Sequence, residues 1–159
     1  MEQYSGISKD KMRFAFLNGF LYVLAGSIQL VFSLLTMFNL CSVNSFENGL
    51  IGILFAPSDL MGSLILVLIG SVFIYGLMEM RNGLDEGIAY VYVGILISLL
   101  FAMVYVLVIA GNWMEMYLLN VPQISYWDIL YDLRPAIYLG ILPLCGYLIW
   151  KKEFRTMNK

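Results

Sequence analysis

Residues 87–114, GIAYVYVGILISLLFAMVYVLVIAGNWM, run for 28 positions without an Asp, Glu, Lys or Arg. A helix on a water-soluble core would show a polar face within that length. A bilayer's hydrocarbon core is about 30 Å thick and takes about 20 helical residues. In lipid the backbone N–H and C=O groups have no water to bond, and a helix satisfies them within itself. This stretch therefore reads as a transmembrane helix, and the fold follows from how many others accompany it.

Three more uncharged stretches do: 14–38, 60–78 and 135–150. The last is short, but it lengthens to 133–150 if Arg134 reaches outward to the interface along its aliphatic stem. A short span can cross by local thinning or interfacial anchoring. The composition agrees: 61% of residues are hydrophobic and 13% charged, against about 25% charged in a soluble domain. We expect an all-α integral membrane protein, a four-transmembrane-helix bundle in a single domain covering 1–159. The expected spans are about 14–38, 59–80, 87–111 and 133–150, with outer loops about 39–58 and 112–132. The first span is too long for the apolar region of a signal peptide and lacks a small-residue cleavage site after it, so we expect it to be retained.

Lys and Arg set the orientation. Lys9, Lys11 and Arg13 precede span one, Arg81 lies between spans two and three, and Lys151, Lys152, Arg155 and Lys159 follow span four. Only Arg134 falls on the other side. The positive-inside rule then puts both termini in the cytoplasm, in the cell membrane. Cys41 and Cys145 differ in depth by most of a membrane, so we expect no disulfide between them. Cys145 reads as a small apolar core residue.

The connections carry their own signals. In RNGLDE, Asn82-Gly83 can end one helix in the left-handed region and Asp85-Glu86 can start the next. Spans two and three are therefore antiparallel neighbours. Ser58 reads as the N-cap of span two, with Asp59 in its first turn. In the first outer loop GLIGILFAP is apolar but too short to cross, and reads as interfacial. The second outer loop, with Trp113, Tyr117, Tyr126, Trp127 and Tyr131, has the makeup of an aromatic belt split at Pro122. Asp132 can cap span four, with Pro135 in its first turn. Pro143 lies mid-span and predicts a kink.

Two patterns bear on assembly. NGFLYVLAG from Asn18 and EGIAYVYVG from Glu86 match at an offset of 68, and Gly70, Gly76 and Arg81 match Gly140, Gly146 and Lys151 at 70. This allows a tandem duplication of a two-helix hairpin, 13–81 and 82–151, although basic residues at inner ends and frequent Gly arise without one. Small residues also recur four apart: Ala15 and Gly19; Gly94, Ser98 and Ala102; Ala136 and Gly140. Helices in lipid associate by close packing, which small residues permit. We expect these positions to be helix-packing sites, inside the bundle or towards another protein's helix.

Chemistry is sparse. There is no His, which removes imidazole metal sites and His-based nucleophilic catalysis. There is no P-loop or G-x-G-x-x-G motif. The spans carry no midplane Asp, Glu, Lys or Arg of the kind that ion-driven carriers use. The deep polar groups are Gln29, serines such as Ser71 and Ser98, and tyrosines. Gln29 is the buried polar candidate, for a solute or for a hydrogen bond between helices. Asn18 and Glu79 read as inner-end residues within reach of water. The candidate metal ligands are Asp59, Asp128 and Asp132, the last two sharing a helical face at i, i+4. Capping and solvated charge account for the same residues.

The function expected first is that of a non-catalytic integral membrane subunit, or an assembly or interaction protein, of a larger membrane complex. The alternative is a small oligomeric transporter or channel working through Gln29, the tyrosines and Pro143. Least favoured is an interfacial enzyme using the outer aspartates. No cofactor is expected. Besides the lipid bilayer, the expected partner is a membrane protein or further copies of the chain; no nucleic acid is expected.

Overall fold

A computed structural model describes residues 9–38, 59–118 and 134–156. They form four helices: α1 (Lys9–Met37), α2 (Leu60–Arg81), α3 (Glu86–Leu118) and α4 (Pro135–Thr156). α1, α2 and α3 are long and apolar enough to cross a membrane, and the apolar part of α4, Pro135–Lys151, is shorter. α1 packs along α2, α2 on α3, and α3 on α4, while α1 and α4 touch only lightly. Arg13, Arg81 and Lys151 lie towards one end of the bundle, called here the basic end. Asp59 and Arg134 mark the far end.

The tightest seam joins α1 to α2. A Cβ on Gly26 would lie 2.8 Å from the Val67 backbone nitrogen, and one on Gly70 would lie 2.8 Å from that of Val23. Only glycine permits that approach. At the centre sits Phe73, fully buried. Its ring meets Phe14 edge-on at 6.3 Å and Tyr22 at 6.1 Å, and lies against Gly94, where a Cβ would stand 3.2 Å from it. In lipid such contacts hold a bundle by dispersion and shape, since apolar burial gains little there.

The small residues singled out from the sequence lie inside the chain's own bundle. Ala15 is buried and Gly19 packs on Ile74 and Phe73. Ser98 is buried and donates to the Ile95 carbonyl at 2.8 Å. Ala102 faces Gly140, and Ala136 is buried beside them. One pair of glycines equated by the repeat has unequal partners: Gly70 packs on Gly19 and Val23, Gly140 on Ala102.

The turn between α2 and α3 has the form its sequence suggests. Gly83 takes a φ of 80°. Leu84 N–H donates to the Glu79 carbonyl at 3.1 Å and Gly83 N–H to that of Met80 at 3.2 Å. This pair satisfies the last carbonyls of the helix in the Schellman pattern.

Four details depart from the sequence reading. Asp59, not Ser58, caps α2: its Oδ1 accepts from Met61 N–H at 3.1 Å, because a carboxylate at that position is an acceptor already matched to the helix dipole. α3 continues as helix to Leu118, past the expected end at 111. Asn112 and Glu115 do not break it, since neither residue type is a helix breaker. Cys145 is exposed rather than in the core. It shares the outward face of α4 with Ile141, Leu148 and Ile149, at the i, i+3, i+4 spacing of one helical side. Asn18 is fully buried rather than wet. The helix passes through Pro143 without interruption. Asp128, Asp132, Cys41, Ser58, the GLIGILFAP stretch and the aromatic residues 126, 127 and 131 lie outside the described residues.

Candidate functional site: an ion pair above a buried polar stripe

Two helix starts come together at the far end. Asp59 precedes α2, and Arg134 precedes α4, whose first residue is Pro135, a position where the absent N–H loses nothing. Arg134 Nη1 donates to Asp59 Oδ2 at 3.0 Å, and the Tyr105 hydroxyl from α3 donates to the same oxygen, also at 3.0 Å. The guanidinium lies over the Tyr105 ring, 5.1 Å from its centroid, where the negative face of the ring attracts it. Gly62 makes room for the contact: a Cβ there would stand 2.7 Å from the Tyr105 oxygen and 3.0 Å from Asp59 Oδ2. The pair is partly exposed, 21% for Arg134 and 36% for Asp59, so its Coulomb attraction is screened and worth at most about 1 kcal/mol.

Below this cluster a narrow crevice is lined by Gln29, Leu66, Phe101, Tyr105, Arg134 and Ala136, so all four helices reach it. Gln29 is 2% exposed. Its Oε1 has no hydrogen-bond partner, and neither do Asn18 Oδ1, Tyr22 Oη and Ser33 Oγ, all buried. These four residues sit on one helix. At 100° per residue positions 18, 22, 29 and 33 fall within about 60° of one another, and they span about 22 Å of axis. They form one buried polar stripe along α1.

The orientation of Asn18 is fixed, because its Nδ2 donates to the Phe14 carbonyl at 3.0 Å and so turns Oδ1 inward. Tyr22 Oη faces Ser98, whose own proton goes to the Ile95 carbonyl; the two oxygens lie close but outside hydrogen-bond geometry. Each buried polar atom left unpaired costs about 1–3 kcal/mol. Four of them together rival a domain's whole stability of about 5–15 kcal/mol. The described side chains therefore leave the stripe short of hydrogen-bond partners.

Of the aspartates grouped from the sequence, the structure describes Asp59 alone. One of its oxygens caps a helix and the other accepts from Arg134 and Tyr105. No group of three His, Cys, Asp or Glu side chains is placed to hold a metal among the described residues. Sequence reasoning found Gln29 but missed Asn18, Tyr22 and Ser33 as its companions. Their i, i+4, i+11, i+15 spacing was the available signal. It also missed Tyr105, which only the packing of α3 against α2 brings to Asp59.

Three apolar helices of membrane-spanning length and a shorter fourth, packed together through glycine contacts, define a multi-pass integral membrane protein. The chain belongs to the family described as the MJ0565 integral membrane domain, which matches residues 8–152. No curated protein and no solved structure matches it.

Proposed function

We propose that the chain is a non-catalytic subunit or assembly protein of a larger membrane complex, with four spans and both termini in the cytoplasm. The observation that carries this reading is the far half of α3. Its buried residues run from Gly87 to Phe101 and then stop, while the helix goes on to Leu118. Met114, Tyr117 and Leu118, in the turns beyond Tyr105 and the start of α2, are each about half or more exposed. The whole helix is about 50 Å long against about 33 Å for α2, so its last turns rise beyond the depth that lipid tails cover. Apolar residues at that level suit another protein's surface better than headgroups or water. The orientation is supported by the grouping of Arg13, Arg81 and Lys151 at one end of antiparallel helices.

The test is size-exclusion chromatography with light scattering on natively expressed chain in mild detergent, followed by mass spectrometry of co-eluting proteins. The expected particle is larger than the 18.1 kDa chain. Met114→Trp together with Leu118→Trp should lower partner recovery several-fold without changing the chain's own helicity. A lone monomer from native membrane would overturn the reading.

A further inference from the structure

We propose that the α1 stripe of Asn18, Tyr22, Gln29 and Ser33 is a polar pathway for a small uncharged solute that donates hydrogen bonds. In this conformation it is shut at the far end by the Asp59–Arg134–Tyr105 cluster. This activity goes beyond the assembly role and needs no partner chain.

The chemistry of the solute follows from the atoms on offer. Asn18 Oδ1 and Gln29 Oε1 are amide oxygens, which only accept; the Asn18 amide is held in that sense by its bond to Phe14. Tyr22 and Ser33 add hydroxyl oxygens, also without partners. A molecule that satisfies the stripe must therefore bring N–H or O–H groups. An ion is disfavoured. A dehydrated cation collects about six or more oxygens around one point, whereas these stand one at a time, separated by about 6, 10 and 6 Å along the axis. No Asp, Glu, Lys or Arg lies on α1 between Arg13 and Met37 to offset a charge in transit. One acceptor per level suits a molecule the size of water or a short polyol, passed from one oxygen to the next.

The ends have the character of mouths. Lys11 lies seven residues before Asn18 on the same face and is buried at the basic end. At the far end the crevice that contains Gln29 is narrower than a water molecule and is roofed by Tyr105 and Arg134. The roof is held by side-chain contacts to a single carboxylate oxygen of Asp59.

Cysteine labelling and solute entry test the proposal together. In a chain with Cys41→Ser and Cys145→Ser, single variants Gln29→Cys and Ser33→Cys are compared with Val31→Cys. Val31 lies at the same depth but faces lipid, 53% exposed. A thiol reacts as thiolate, which forms in water and not in hydrocarbon. A charged methanethiosulfonate reagent should modify positions 29 and 33 at least tenfold faster than 31. Proteoliposomes of the unmodified chain should admit water, glycerol or urea at least fivefold faster than protein-free vesicles, and modification of Gln29→Cys should return entry to the protein-free rate. Labelling at 29 and 33 no faster than at 31 would overturn the proposal, because the stripe would then be dry. Fast labelling with all three solutes entering at the protein-free rate would overturn it equally, leaving static internal hydration.

Discussion

Asp59 carries three contacts on one carboxylate: the α2 cap through Oδ1, and Arg134 and Tyr105 through Oδ2. The contributions separate by substitution. Asp59→Ala removes the cap, about 1 kcal/mol, and leaves the Tyr105 hydroxyl without its acceptor, about another 1 kcal/mol. The screened ion pair adds at most about 1 kcal/mol. Asp59→Asn keeps the capping oxygen and loses mainly the charge. Reversible unfolding in mild detergent should therefore rank the wild type first and Asp59→Asn second, with Asp59→Ala lowest by about 2–3 kcal/mol. Equal stability of the Asn and Ala substitutions would show that the cap contributes nothing. The role of Asp59 was only half legible in the sequence. Its place before an apolar run marks a helix start, but Arg134 is 75 positions away and Tyr105 is 46, and nothing local selects them. Asn18 escapes sequence reasoning for a related reason. Its closeness to the basic residues suggests a wet position, whereas packing within the bundle buries it completely.

At the scale of elements, the glycines divide into those that set helix spacing and those that do not. A Cβ on Gly26 or Gly70 would meet the facing helix's backbone nitrogen at 2.8 Å, while one on Gly111 would meet nothing within 4 Å. Backbone cannot swing aside as a side-chain tip does. Gly26→Ala and Gly70→Ala should each destabilise by about 1–3 kcal/mol through separation of α1 from α2. Gly111→Ala should be neutral or stabilise by up to about 1 kcal/mol, since alanine favours helix. Thermal unfolding of the three variants checks this, and a destabilised Gly111→Ala would refute it. The spans themselves were plain in the sequence, because lipid forbids charge over about 20 residues and the uncharged runs show it directly. Helix ends were less plain. α3 overruns to Leu118 because charge-free length measures solubility in lipid, not where helical hydrogen bonding stops. The facing of α4 was also hidden: Cys145 lies outward, and periodicity is faint where nearly every residue is apolar.

For the whole molecule, the alternation of four helices with Arg13, Arg81 and Lys151 at one end makes topology testable. With native cysteines replaced, Arg13→Cys and Lys151→Cys should react with a membrane-impermeant maleimide only from the cytoplasmic side, and Tyr117→Cys only from the other. Labelling of positions 13 and 151 from opposite sides would contradict the proposed even number of spans. The four-helix plan was legible in outline from charge alone; the pairing of helices was not, beyond the short α2–α3 turn. That turn has a consequence for how the bundle is made. With Gly83 at a φ of 80° and so few residues in the link, α2 and α3 are tethered from the moment both are synthesised, and they find each other with little loss of chain entropy. α1 and α4 must dock onto that pair across longer connections. Gly83→Val, forced into a backbone region that β-branched residues avoid, should therefore reduce the yield of assembled protein in the membrane more than it alters the packing of the molecules that do form.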